Sequence, residues 1–251
     1  MKNQKNLALT CVLFCLSICM SFAQQMYVVF QDNVKPSKML EYEKAVKAFN
    51  DSCTEHNVDA EWYAAAQDDF TYYYITPIEN MAELDKRPMK AMAEAMGDKF
   101  QEMITNLDKC ATASGSYIMY KVDDLSYKAP EGTDMTDQNH RVWYELHYQA
   151  ENKDKVKEGM KAIKAMFEEK GSKEYYNIYH SGFGTMENFY LVSVAAKDGI
   201  DSETRAKANQ DVLGPDRYDT FNKLLAYLDE WVEHRGRMRP DLSYMPKKEE
   251  Q

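Results

Sequence analysis

The sequence predicts an α+β protein in which one βαββαβ unit is used twice, and three observations predict it. An apolar helix face recurs: Phe100, Met103, Ile104, Leu107, Cys110 and Ala111 return as Phe221, Leu224, Leu225, Leu228, Trp231 and Val232, a constant step of 121. The tetrapeptide Asp124-Leu125-Ser126-Tyr127 returns as Asp241-Leu242-Ser243-Tyr244, at a step of 117. The same 117 relates Ala45-Val46-Lys47 to Ala162-Ile163-Lys164, Tyr27 to Tyr144 and Tyr73 to Tyr190. A period near 117 is too long for a solenoid repeat and is the size of a small domain.

In the first half, Met26 to Val34 alternates and is β-rich, and Lys35-Pro36-Ser37 ends it. Met39, Tyr42, Val46, Phe49 and Cys53, spaced 3, 4, 3, 4, line one face of a helix. Glu61 to Ala66 and Phe70 to Thr76 read as two strands joined by a turn. Pro77 to Met96 is a methionine-rich helical stretch punctuated by Pro88, and Asp98 with Gln101 forms a capping pair for the Phe100 to Ala111 helix. Ser116 to Val122 is the last strand of this half. Met81, Met89, Met92, Met96 and Met103 fall at helical intervals and read as core.

The second half repeats the order. Val142 to Gln149 is a strand, and Val156, Met160, Ile163 and Phe167 line a helix that ends at Gly171. Tyr175 to His180 and Asn188 to Ala196 form a hairpin around Gly182 to Met186. A polar segment containing Gly214-Pro215 leads to a helix over Phe221 to Val232, and a short, proline-broken strand closes the half at Arg237 to Pro240. The domain reading is therefore a repeat over 24–127, a Pro/Gly-rich linker over 128–139, a repeat over 140–246 and a charged tail over 247–251.

Residues 1–23 carry Lys2 and Lys5, an apolar run from Leu7 to Met20 and the small-residue end Ser21-Phe22-Ala23. That is the pattern of a secretory signal cleaved after Ala23, placing the protein in a periplasmic or extracellular compartment. Cys19 offers a lipid-anchor alternative, disfavoured by the bulky Ile18 before it. Removing Lys2 and Lys5 leaves 29 basic residues against 41 acidic ones, a net charge of −12. Such a charge excludes nucleic acid and anionic membrane surfaces as natural partners. After cleavage only Cys53 and Cys110 remain. The antiparallel helices that carry them would hold the sulfurs about 15–20 Å apart at 1.5 Å per residue, so two buried thiols are expected.

Each half is thus a split β-α-β unit, a ferredoxin-like sandwich, and two such sheets bury their second faces by packing face to face. The element order, the Val34-Lys35-Pro36 turn into the first helix, and Tyr74-Ile75-Thr76-Pro77 leading to Met81 and Leu84 resemble dimeric α+β barrel proteins. Antibiotic-biosynthesis-type monooxygenases and NIPSNAP-like domains belong to that superfamily. The resemblance spans both halves and implies a fused pseudo-dimer, a pseudo-dimeric α+β barrel made of tandem duplicated ferredoxin-like repeats. It brings no catalytic signature. In the resembling monooxygenases, aromatic and polar side chains hold substrate inside the barrel, sometimes without a cofactor. Haem-degrading relatives use a histidine, a tryptophan and an asparagine, an arrangement that His56, Asn57 and Trp62 do not reproduce.

Candidate chemistry sits on strands. Trp143, Glu145 and His147 alternate onto one face, and a face turned into the inter-sheet space would make Glu145 and His147 an acid–base pair set up for proton transfer. His180 falls on the step of 117 where the first half has Tyr63. Because Tyr73 matches Tyr190, Tyr73 is expected to pack on a helix, turning Tyr72 and Tyr74 inward with Trp62 beside them. The five histidines show no metal-ligand spacing, and no nucleophile elbow or phosphate loop occurs. The expectation is an exported protein that binds a small apolar or aromatic molecule at Tyr72, Tyr74, Trp62, Tyr63 and Trp143, with no cofactor or metal. It does not insert into a membrane after cleavage and has scope to form a homo-oligomer. A cofactor-independent monooxygenase- or isomerase-like enzyme using His147, Glu145 or His180 is the first alternative, and a structural or protein-interaction scaffold is the second.

Overall fold

The computed structural model describes residues 24–246. The expected signal segment with its Ala23 cleavage site and Cys19, and the tail over 247–251, lie outside the described residues. In the first half β1 (Met26–Val34) leads to α1 (Met39–Glu55), then β2 (Tyr63–Gln67) and β3 (Thr71–Ile78). Helices α2 (Lys90–Met96) and α3 (Asp98–Asp108) and strand β4 (Ala111–Lys121) complete it. The second half runs β5 (His140–His147), α4 (Lys153–Lys170), β6 (Tyr176–Ser181), β7 (Phe189–Ala196), α5 (Gly199–Leu213), α6 (Arg217–Leu225) and β8 (Glu230–Met238). No described helix is long and apolar enough to cross a membrane.

The eight strands close one barrel in the order β1-β3-β2-β8-β5-β7-β6-β4, every neighbouring pair antiparallel. The barrel closes at two seams between the halves, each only three residue pairs long: β2 on β8 and β4 on β6. Gly236 makes the first seam. A Cβ there would stand 2.1 Å from the Ala66 carbonyl oxygen, so only glycine lets the strands approach. Helices cover the outside. Leu146, Ile178 and Tyr190 pack against Val156, Met160, Ile163 and Phe167 of α4, while Val34, Ala64 and Tyr72 pack against Tyr42 and Val46 of α1.

The repeated tetrapeptide exchanges the halves' ends. Leu125, from the first half, is fully buried in the second half's helix-side core, and Leu242 is fully buried in the first half's. The Ser126 hydroxyl accepts the Ile178 N–H at 2.9 Å, and Ser243 accepts the Ala64 N–H at 2.8 Å. Tyr127 then bridges to Tyr176, and Tyr244 to Trp62, by paired backbone hydrogen bonds. The four letters recur because each end does the same job on the opposite half: a leucine fills a core and a serine ties down a strand. Beside this clamp, Arg239 makes a two-pronged ion pair with Glu43, which also accepts the Tyr72 hydroxyl at 2.7 Å.

Hydrogen-bond register shows which residues correspond between halves. Val29 faces Tyr117 and Ile75, Ile75 faces Tyr63, and in the second half Trp143 faces His234 and Ser193, which faces Asn177. With β4 and β8 matched at 117 by the tetrapeptides, β1 matches β5 at 114, β2 matches β6 at 114 and β3 matches β7 at 118. The 117 step drawn through Tyr27/Tyr144, Tyr73/Tyr190 and Tyr63/His180 is thus a coincidence of letters. Tyr27 corresponds to Arg141, Tyr73 to Leu191, Tyr63 to Asn177 and His180 to Ala66. On a strand an odd offset turns a side chain to the other face.

Several element boundaries also differ from expectation. Between Pro77 and Met96 the chain finishes β3, makes a 3-10 turn at Met81–Asp85 capped by the Asn80 side chain, and only then forms α2. Helix α3 starts behind Gly97 without a side-chain cap, so Asp98 and Gln101 form no capping pair. Cys110, Ala111, Trp231 and Val232 lie beyond the helix ends, where β4 and β8 form. The closing strand is β8, nine residues long, in place of Arg237 to Pro240, and the polar segment before Gly214 is helix α5. Cys53 and Cys110 are free, buried thiols in separate clusters, and burial pushes Cys53 up to about 12.

Glu174, ahead of β6, sits beside Arg205 at 3.4 Å, but burial dominates and raises its carboxyl to about 6. A carboxylate raised in the folded state favours folding below its unfolded pKa of 4.5 and loses that contribution as pH rises to 6. Glu174→Gln is therefore expected to gain about 1 kcal/mol at pH 7.5 after loss of the Arg205 pair. The gain should vanish at pH 4, as read from urea midpoints at the two pH values. Equal midpoints at pH 7.5 would mean the Arg205 pair outweighs burial.

Candidate functional site

Inside the barrel, odd-numbered residues of β5 turn inward and even-numbered ones outward, because Leu146 and Tyr148 belong to the helix-side core. Arg141 and Trp143 line a cavity of about 540 Å³ at one mouth of the barrel, with Tyr27, Tyr63, Tyr179 and Leu191. Lys128, Ala129 and Met135 of the linker between the halves also line it. Tyr27 and Tyr179 meet edge to face at 5.8 Å, and burial pushes Tyr179 up to about 12. Arg141 is the cavity's distinctive group. Its Nη1 donates to the carbonyls of Gln138 and His140. Its Nε and Nη2 have no protein partner and no carboxylate lies within 4.0 Å among the described residues. Burial lowers its pKa, since an interior cation lacks its water.

Glu145 and His147 lie beyond Trp143, towards the other mouth. His147 Nε2 is 3.1 Å from Glu145 Oε2, and its Nδ1 is 2.8 Å from Glu187 Oε2, off the line of a hydrogen bond. His234, on β8, places Nε2 at 3.9 Å from the other oxygen of Glu145. By the register above, Glu145 and His147 correspond to Gln31 and Asn33, which make an amide pair at 2.8 Å, and His234 corresponds to Tyr117. One half thus carries ionisable groups where the other carries neutral ones. Burial raises Tyr73 and Tyr117, and the nearby charge of Glu145 adds to it. Arg141 and His147 are six steps apart along the strand, about 20 Å at 3.3 Å per residue. The cavity and the acid–base cluster are therefore separate places, with Trp143 between them.

Four expected site residues lie elsewhere. Tyr72 and Tyr74 face α1: Tyr72 donates to Glu43, and Tyr74 shares a 2.9 Å hydrogen bond with Tyr42, whose hydroxyl donates to Asp32 at 2.5 Å. It is Tyr73 that turns inward, the consequence of β3 and β7 matching at 118. Trp62 stacks on Tyr244 at 4.8 Å in the helix-side core. His180 also faces outward, hydrogen-bonded to Tyr148 at 2.7 Å, with burial lowering its pKa. It cannot share a cavity with His147, which is on the opposite face of the sheet. Tyr63 and Trp143 do line the cavity. Sequence reasoning missed Arg141, Tyr27, Tyr179 and His234. Arg141 was legible, because alternation from Trp143 puts it on the same face.

A broader recess of about 840 Å³ lies over the β2–β8 seam. Lys197, Arg237 and Arg239 share it with Glu43, Asp68 and Asp198, so it favours no charge class. Among the described residues no group of three or more His, Cys, Asp or Glu is arranged to hold a metal ion.

No family model and no curated protein matches the sequence. Solved structures do match in fold. A candidate monooxygenase from Lactobacillus acidophilus is 11% identical, with a TM-score of 0.51 over 89% of this chain and 97% of that one. An anthrone oxidase-like protein is 9% identical, with a TM-score of 0.55 over 86% of this chain and 92% of that one. A mutant chlorite dismutase from Candidatus Nitrospira defluvii is 11% identical, with a TM-score of 0.50 over 86% and 92%. The chain thus has the fold of dimeric α+β barrel proteins, and at these identities the likeness concerns fold alone.

Proposed function

We propose that this is an exported binding protein, a tandem duplication of a ferredoxin-like unit whose barrel mouth holds a small aromatic molecule. The observation that carries the reading is the cavity of about 540 Å³ walled by Tyr27, Tyr63, Trp143 and Tyr179. Its size suits a drug-sized guest, and aromatic walls with few polar groups are the usual lining of such sites. The matching strand offsets and the exchanged tetrapeptides support duplication, and the n-region and apolar run over 1–23 support export. Neutral N-phenyl-1-naphthylamine tests the cavity. Its fluorescence is expected to rise on binding to the mature protein and to fall at least fivefold in Ser193→Phe, which adds a ring to the cavity wall. Equal fluorescence in the two proteins would place the dye elsewhere and sink the reading.

A second reading is an enzyme, favoured by the replacement of Gln31–Asn33 by Glu145–His147. There His147 would take a proton and Glu145 would hold its ring, with His234 completing the cluster. The names of the fold relatives, a monooxygenase, an anthrone oxidase-like protein and a chlorite dismutase, point to oxygen chemistry. The separation of this cluster from the cavity makes binding the preferred reading.

A further inference from the structure

We infer that the guest of the barrel mouth is an anion, an aromatic carboxylate whose carboxyl group is received by Arg141. The inference rests on the binding reading above and names its ligand class. A guanidinium has five N–H donors in a fixed fork matched to a carboxylate. Arg141 uses Nη1 on the backbone of Gln138 and His140, which fixes the direction of the fork. Nε and Nη2, the adjacent pair that suits two-pronged binding, keep no partner among the described residues. A half-buried cation commonly finds a carboxylate partner. Two other half-buried arginines are paired in this way: Arg205 has Glu174 and Asp201, and Arg239 has Glu43 and Asp241. A third, Arg217, spends both terminal nitrogens on the Gln210 and Gly214 carbonyls and the Tyr218 hydroxyl, and lines neither the cavity nor the recess. In a chain with ten more acidic than basic residues, Arg141 has no carboxylate partner among the described residues, and it lines a cavity open to small molecules.

The body of the guest follows from the walls. Tyr27 and Tyr179 present an edge-to-face pair and Trp143 an indole, so flat rings find stacking surfaces next to the guanidinium. Lys128, at the end of the linker, adds a second positive charge at the rim, shared with Asp123 at 2.9 Å. The site excludes cations by the same arrangement.

Calorimetry on the mature protein with 2-naphthoate and its neutral counterpart 2-naphthamide tests this. The two probes share a ring system, so the amide reports the aromatic cavity and the difference reports the anion. Naphthoate is expected to bind at least tenfold more tightly, in keeping with a charge-assisted two-pronged contact. Arg141→Met should abolish that difference, naphthoate then binding no more tightly than naphthamide. Equal affinities in the parent protein would overturn the anion and leave the cavity reading standing. Binding of neither probe would overturn both. If Arg141→Met weakened both probes alike, Arg141 would be a brace for the linker backbone, and the inference would fall. Thermal melting of the variant within a few degrees of the parent shows that the comparison is between folded proteins.

Discussion

Gly236→Ala is expected to be the most damaging single methyl group in this protein. The new carbon would stand 2.1 Å from the Ala66 carbonyl oxygen and 2.7 Å from the Gln67 Cα. Both are backbone atoms, so no rotamer change relieves the clash, and β2 must part from β8. That seam has only three residue pairs to lose. The cost should be about 3 kcal/mol or more, by analogy with overpacked sites. At roughly 2–4 °C per kcal/mol for a chain of this size, the melting temperature should drop by about 10 °C. Gly115→Ala on β4 is the control, because a Cβ there meets nothing within 4 Å, and it should change stability by less than about 0.5 kcal/mol. Comparable melting of Gly236→Ala and the parent would mean that the seam is looser than its backbone distances say.

Leu242→Ala is the second large effect, and its location matters more than its size. Truncating a fully buried leucine costs about 3–5 kcal/mol, and both Leu125 and Leu242 are fully buried. Each fills the core of the half it does not belong to. Amide hydrogen exchange should therefore accelerate across α1 and β2 in Leu242→Ala, and across α4 and β6 in Leu125→Ala. Acceleration in the half that carries the substitution would contradict the exchanged clamp. The two costs should add within about 0.5 kcal/mol, since the residues sit in separate cores.

How much of this was legible in the letters depended on which physical rule each residue obeyed. Alternation along β5 is a local property, so Trp143, Glu145 and His147 were assigned to one face without help from the rest of the chain. The inward turn of Tyr73 was not local. It depended on the offset between β3 and β7, which hairpin and connection lengths change by single residues, and one residue reverses a strand's faces. Tyr72 and Tyr74 were misassigned for that reason, as was the pairing of His180 with Tyr63. The Phe221 helix was extended too far because Trp231 and Val232 continue an apolar spacing that a strand start reads equally well. Helix α5 escaped because its surface is polar nearly all round, with only Ser202 and Leu213 buried. The site residue that matters most, Arg141, carried its signal only in company: alternation gave its direction, and the barrel around it gave its lack of a counter-charge.

That the two halves are one covalent chain has a consequence for Arg141. A barrel assembled from two identical subunits has a twofold axis, and every inward residue on one side meets its own copy on the other. An arginine at this position would then face a second arginine across the cavity, two unpaired cations in a space of about 540 Å³. Their repulsion would empty the site of one of them or draw in two anions. With both halves in one chain that constraint is absent. The position across the axis is Tyr27, an aromatic ring, so a single chain can present one charge and one stacking surface to the same guest. A lopsided molecule, acidic at one end and flat at the other, is the shape that such a broken symmetry admits.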